Sequence, residues 1–285
     1  MRVNAAATSS GGAGGTSAEP LFVVGAPRSG TTLLRYVLDA HESFACPPET
    51  KFIPALRDAL ARSQVGPALR SLGLSEREVD RHARRFVAGI LDAYAERRGK
   101  RRWADKTPNN AFALDFIDRV FTEEPLYCFV VRHPFDAVQS MDESFSHGPS
   151  PDPDVARFVA EHGRTKTGFA RLWDDVNRRL LAFAAGRERR VHRVRYEDVV
   201  ADPRATLSAL FAFLGEPFDP DLAQRALAMP HDPGYGDDKI ATTREIRRDR
   251  VGTWRRAWSH ADVVGVTPIV AETAAALGYA LDERS

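Results

Sequence analysis

Leu21-Phe-Val-Val-Gly-Ala-Pro-Arg-Ser-Gly-Thr-Thr-Leu-Leu-Arg35 passes from a short apolar run through a glycine turn into a helix-like pattern. Leu21 to Val24 reads as a buried parallel strand and Thr31 to Ala40 as the helix after it. Gly25 and Gly30 stand where a phosphate loop of the form G-x-x-x-x-G-K-[ST] needs glycine, and Thr32 fills its last hydroxyl position. Thr31 replaces the lysine. Such a loop turns backbone N–H groups toward an anion at a helix N-terminus, and Arg28 adds a forked cation. Without a lysine to reach a γ-phosphate, the loop is read as binding phosphate rather than transferring a γ-phosphoryl group.

Working outward, strand-like and helix-like stretches alternate. Phe52 to Ser63 and Glu76 to Arg98 have helical spacing, Arg102 to Lys106 is extended, and Asn109 to Phe121 is again helical. Leu126 to Val131 is a core strand stopped by Arg132-His-Pro134, with a helix to about Phe145. Three prolines make 146–153 a loop, Ala156 to Ala185 reads as one helix, Arg190 to Val194 as a last strand, and Pro203 to Leu214 as a helix closed by Gly215. Residues 231–250 are polar and weakly periodic, as in a loop over a site. The expected fold is α/β: a P-loop-like three-layer arrangement with a central parallel sheet flanked by helices. Such sheets place ligands at the carboxyl ends of their strands, where the turns at 25–31, 106–108 and 132–134 fall. The expected organisation is a flexible tail over 1–20 and one domain over 21–285.

Composition narrows the function. With 43% hydrophobic and 28% charged residues, the chain has the balance of a globular protein. A formal net charge of +1 argues against a mainly electrostatic nucleic-acid binder and leaves room for one local anion pocket. Cys46 and Cys128 are too few and too separated for a disulfide framework or a tetrahedral metal site, so they read as free thiols. Nothing reads as a signal peptide or transmembrane segment, which leads to the expectation of a cytoplasmic protein. Lysine occurs only at 51, 100, 106, 166 and 239 in this arginine-rich chain, so those at 51, 106 and 239 hint at places where a compact ammonium is wanted.

Ala26-Pro-Arg-Ser-Gly-Thr-Thr-Leu33 resembles the 5′-phosphosulfate loop of sulfotransferases that use 3′-phosphoadenosine-5′-phosphosulfate (PAPS), in the style of the bacterial and tyrosylprotein branches. That resemblance implies that Arg28, Ser29, Gly30, Thr31 and Thr32 hold the 5′-phosphosulfate. Phe129-Val-Val-Arg-His-Pro-Phe-Asp-Ala-Val-Gln-Ser140 is similar to the family's second signature, whose Arg132 and Ser140 bind the 3′-phosphate. Taken singly, Arg132 reads equally as a structural ion pair and Ser140 as an ordinary helix residue. Arg195-Tyr-Glu-Asp-Val199 resembles the segment whose tyrosine, here Tyr196, borders the nucleotide; a core aromatic is the other reading. Asp249-Arg-Val-Gly-Thr-Trp-Arg255 is similar to the late nucleotide-closing loop, with Arg250 as the phosphate contact.

Sulfuryl transfer needs an activated acceptor oxygen, in-line approach and cations for the departing phosphate oxygen. Many cytosolic members carry a base histidine in Lys-Thr-His, but this chain reads Lys106-Thr-Pro108. The tyrosylprotein branch uses a Glu in Glu-Thr-Arg, and Glu49-Thr-Lys51 occupies that place. Glu49 is therefore the expected general base, with the start of a helix near Phe52 as its other reading. Lys106 matches the lysine near the bridging oxygen, unless it is a surface lysine. Lys51, Asp238 and Lys239 are acceptor-side residues in reach of this scheme. The resemblance implies PAPS as donor, 3′,5′-bisphosphoadenosine (PAP) as product and no required metal. The acceptor is read as a hydroxylated small molecule or a peptide tyrosine, and Phe52, Phe145, Phe158 and Trp173 suit its pocket. A P-loop kinase or NTPase and a non-catalytic nucleotide-binding module are the competing classes.

Overall fold

A computed structural model describes residues 19–122, 124–145, 153–230 and 246–281. Pro153 begins a helix and Arg248–Arg250 form a 3₁₀ turn. Residues 1–18 of the expected tail, 146–152 of the loop expected over 146–153, and 231–245 of the loop expected over 231–250, with Asp238 and Lys239, lie outside the described residues. Five strands are present among them: β1 (Leu21–Gly25), β2 (Phe44–Ala45), β3 (Arg102–Lys106), β4 (Leu126–Val131) and β5 (Val191–Arg195). They pair in parallel in the order β2-β3-β1-β4-β5, so the glycine loop leaves the middle of the sheet. Val23 lies opposite Lys106, and Gly25 opposite Val130. The carboxyl ends of three neighbouring strands therefore come together.

The helices in chain order are α1 (Thr31–Ala40), α2 (Phe52–Leu60), α3 (Val65–Ser71), α4 (Glu76–Arg97), α5 (Leu114–Val120), α6 (Pro134–Phe145) and α7 (Pro153–His162). There follow α8 (Lys166–Ala184), α9 (Tyr196–Ala201), α10 (Pro203–Phe213), α11 (Leu222–Ala228), α12 (Trp254–Ala257) and α13 (His260–Ala276). Strand side chains alternate between the two faces of a sheet, and β1 uses both for packing. Phe22 and Val24 join a core with residues of α4, α5, α6, α8 and α13, whereas Leu21 and Val23 join another with α1, α10 and α11. This is the three-layer arrangement expected from the alternating pattern. Cys46 and Cys128 are buried free thiols, and burial pushes the Cys128 thiol up to about 12.

Two helices depart from the sequence reading. The stretch read as one helix over 156–185 is two, α7 and α8. Gly163 adopts φ +81°, and Thr165 starts α8 by accepting at its hydroxyl the amide N–H of Gly168 at 3.1 Å. Gly168 also lies so close to this turn that a Cβ there would sit 2.2 Å from the Gly163 carbonyl. The helix read over 109–121 is a 3₁₀ turn, Pro108–Phe112, followed by α5. Six further elements were not anticipated: β2, too short to show a period; α3, α9, α11 and α12, of one to two turns; and α13. The last carries a start signal, since Ser259 and Asp262 form a capping box.

Phe22 is fully buried, with Trp103 and Phe121 edge-on and Tyr127 stacked on it. Phe22→Ala is expected to cost about 3–5 kcal/mol of folding free energy, measured by urea unfolding, through lost contacts and a cavity. A loss under about 1 kcal/mol would mean that the core closes over the gap.

Candidate functional site

The glycine loop departs from ordinary backbone at two residues, Arg28 with φ +67° and Gly30 with φ +94°. Gly30 is the N-cap of α1 and has no side chain with which to occupy the first-turn N–H groups. A Cβ on Gly30 would fall 2.4 Å from the ring of Tyr196, so glycine is required both by conformation and by the aromatic side chain laid against the loop. The hydroxyl of Ser29 is buried and finds no hydrogen-bond partner among the described residues.

Arg132, leaving the end of β4, binds this loop through its backbone. One terminal nitrogen donates to the Arg28 carbonyl at 3.0 Å, the other to the Arg250 carbonyl at 2.6 Å, and the guanidinium lies 4.6 Å from the centre of the Tyr196 ring. Its Nε, also buried, is without a partner among the described residues. Burial raises the Tyr196 phenol above its ordinary value, and the Arg132 cation opposes that shift. Arg28 Nε donates to the Ser140 hydroxyl at 3.2 Å. Arg28, Ser29, Gly30, Arg132, Ser140, Tyr196 and Arg250 thus gather in one cluster although they span more than two hundred residues of chain. Thr31 is buried beside Gly25.

A second cluster adjoins the loop on the β3 side. The side chain of Lys106 is fully buried; its ammonium donates to Glu49 Oε1 at 2.9 Å and to Thr32 Oγ1 at 3.5 Å. Burial removes the reading of Lys106 as a surface lysine. Lys51 Nζ lies 3.6 Å from the other carboxylate oxygen of Glu49. The 47–51 turn is tied at both ends: Arg35 from α1 donates to the carbonyls of Cys46 and Pro47, and Thr50 is bound by Asp105 and Thr107. Lys51 closes the turn as the N-cap of α2 at φ +55°.

Sequence reasoning missed the supporting residues. Asp136 of α6, buried one turn after Arg132, accepts the Gly252 amide at 2.7 Å, the Thr253 hydroxyl at 2.9 Å and the Trp254 amide at 3.3 Å. It fastens the late loop beside the Arg132 cluster. Its signal is an acidic residue in the first turn of a helix whose partners are distant in sequence, which no local spacing reveals. Trp173, read as suited to an acceptor pocket, is fully buried and donates to the Arg132 carbonyl at 3.1 Å, so it belongs to the core. Phe52 and Phe158 are half-buried. His41 ends α1 and His133 packs on Trp254 with its Nε2 at the Ala280 carbonyl, both in packing roles. No group of three or more metal-ligating side chains is found among the described residues, and no described helix is long and apolar enough to cross a membrane.

A glycine loop between a central parallel strand and a helix, with cations from both neighbouring strand ends, is the arrangement with which P-loop-like α/β folds meet anions. The chain belongs to the sulfotransferase family, whose model matches residues 20–220. It is 29% identical over 279 residues to nodulation protein NoeE of Sinorhizobium fredii, covering 90% of this chain and 65% of that protein. It is 26% identical over 204 residues to the Gallus gallus protein-tyrosine sulfotransferase 2, covering 68% and 50% respectively. The chain thus spans between half and two thirds of the length of these curated relatives. Among solved structures, the sulfotransferase domain of the Synechococcus PCC 7002 olefin synthase has the same fold, with a TM-score of 0.64 at 23% identity over 93% of this chain and 96% of that one. Mouse sulfotransferase SULT7A1, complexed with PAP, superposes with a TM-score of 0.56 at 17% identity over 94% and 89%.

Gly30→Ala is expected to lower folding stability by about 1–3 kcal/mol, because a left-handed residue acquires a Cβ that displaces Tyr196. Thermal unfolding measures it. Wild-type stability in that variant would show that Tyr196 leaves the loop without cost.

Proposed function

We propose that this protein transfers a sulfuryl group from PAPS to an acceptor hydroxyl, releasing PAP, with Glu49 as general base. The observation that carries the reading is the position of Lys106, whose one buried ammonium reaches both the phosphate-loop hydroxyl of Thr32 and the carboxylate of Glu49. The base and the loop are thereby neighbours. The donor's charge fits the residues present: Ser29 Oγ and Arg132 Nε are buried donors without partners among the described residues, and α1 begins at Gly30 with no side-chain cap on its first turn.

In this reading the 5′-phosphosulfate lies against Arg28, Ser29, Gly30, Thr31 and Thr32, and the 3′-phosphate against Arg132, Ser140 and Arg250, with Tyr196 beside the nucleotide. The acceptor oxygen forms its bond to sulfur as the bond from sulfur to the bridging phosphate oxygen breaks. The acceptor's proton passes to Glu49, and Lys106 offsets the charge that develops on the departing oxygen. Family membership and the PAP held by the mouse structural neighbour support the donor. Relatives that are protein-tyrosine sulfotransferases support a phenolic hydroxyl as acceptor class alongside small hydroxylated molecules. Thr31 in place of the P-loop lysine weighs against a kinase.

PAP without magnesium is expected to raise the thermal unfolding temperature, and ATP with magnesium is not. Absence of stabilisation by PAP would sink the proposal. Arg132→Ala is expected to weaken PAP by about 1.5–3 kcal/mol through loss of charge-assisted bonds, read by calorimetry.

Glu49→Gln separates catalysis from binding. Transfer from labelled PAPS is expected to fall by at least about 100-fold, the lower range for loss of a general base, while PAP affinity stays within about threefold. A variant that keeps wild-type turnover would refute the role of Glu49.

A further inference from the structure

Asp105 is the residue before Lys106 at the end of β3, and it has no solvent exposure. Burial raises its carboxyl above the ordinary range, and three hydrogen bonds oppose that shift. They come from the Thr50 hydroxyl at 2.8 Å, the Asn110 amide nitrogen at 2.6 Å and the Thr107 hydroxyl at 3.3 Å. A carboxylate that receives three donors is suited by its acceptor-only ionised form. Thr107 also accepts the Thr50 amide N–H at 3.3 Å, so Thr50 is held by both its side chain and its backbone.

Thr50 lies between the two residues that meet at the Glu49 carboxylate. Its predecessor is Glu49, paired with Lys106, and its successor is Lys51, which has a left-handed backbone and lies 3.6 Å from the same carboxylate. A non-glycine residue at positive φ persists where its surroundings over-determine it, and the bonds to Thr50 supply that constraint. Consecutive residues of β3 thus act on the turn from two directions: Lys106 meets the carboxylate itself, and Asp105 anchors the backbone that carries it.

We propose that Asp105, acting through Thr50, is a positioning residue for the general base, fixing the Glu49 carboxylate against Lys106. The proposal rests on the assignment of Glu49 as base. It assigns Asp105 and Thr50 no contact with donor or acceptor. A misplacement of about 1 Å in such a group costs up to about 100-fold in rate.

The test compares Thr50→Val, which keeps the shape and removes the hydroxyl, with Thr50→Ser, which restores it. With PAPS as donor and a phenolic acceptor, Thr50→Val is expected to lower kcat about 10- to 100-fold. KM for PAPS and the calorimetric affinity for PAP are expected to stay within about twofold, and Thr50→Ser to recover most of kcat. Asp105→Asn, which sets an amide against the Asn110 donor, is expected to follow Thr50→Val. Unchanged kcat in Thr50→Val overturns the proposal, as does an equal loss in Thr50→Ser. Parallel loss of PAP affinity and unfolding temperature overturns it too, because the network would then be holding the fold rather than the base. Failure of the base assignment is read separately, from wild-type turnover in Glu49→Gln.

Discussion

The ammonium of Lys106 has no access to solvent, and much of the site follows from that constraint. Moving a cation out of water costs several kcal/mol unless an anion and further hydrogen-bonding groups meet it. Glu49 supplies the anion and Thr32 a hydroxyl. Lys106 is carried by a strand that pairs directly with β1, whereas Glu49 is carried by a turn with no sheet hydrogen bonds of its own. Pairing therefore brings the turn to the sheet, and the carboxylate arrives beside the glycine loop because β1 and β3 are neighbours in register.

On the opposite side of β1, Arg132 plays a different part with a different cation. Its guanidinium holds two carbonyls from separate loops while its face lies on Tyr196, which is itself pressed against Gly30. The forked geometry matters here, since a single ammonium has no planar face and no paired donors in fixed directions. Trp173 fixes the Arg132 carbonyl from α8, and Asp136 holds the late loop from α6. The two cations divide the cluster between them: Lys106 joins the glycine loop to Glu49, and Arg132 joins it to the segment at Arg250.

The fold and the grouping of the glycine loop with Arg132 were largely legible because their signals are local. An apolar run, the glycines at 25 and 30 and a helical pattern all fall within fifteen residues, and the core strand at Leu126–Val131 ends directly in Arg132. Breaks inside helices were less legible. Helical periodicity continues across Gly163 to Thr165, and only the packing of Gly168 against that turn shows why the helix must restart. Supporting residues were illegible for a related reason. Asp105 and Asp136 each bind partners fixed by topology, with Thr50 and Gly252 lying 55 and 116 residues away. Trp173 misled because an aromatic residue in a helical pattern has the same spacing in a core as beside a ligand.

The scarcity of lysine now has a physical reading at two of its five positions. In a chain where arginine is the default cation, Lys51 and Lys106 both face the Glu49 carboxylate, while Arg28 and Arg132 occupy the loop and the β4 end. Forked donors suit groups whose geometry is set before and after the reaction, such as a resting phosphate or a backbone carbonyl. A compact ammonium with three rotatable donors suits charge that changes place, because it can turn from a carboxylate toward a departing oxygen without a planar group having to be realigned. Substituting arginine at 106 would put a larger, rigid cation into a fully buried slot between Thr32 and Glu49, where overpacking would push the glycine loop and the 47–51 turn apart. Under the proposed transfer, residue type tracks the behaviour of the charge each cation would meet, with arginine where the anion is fixed and lysine where charge moves.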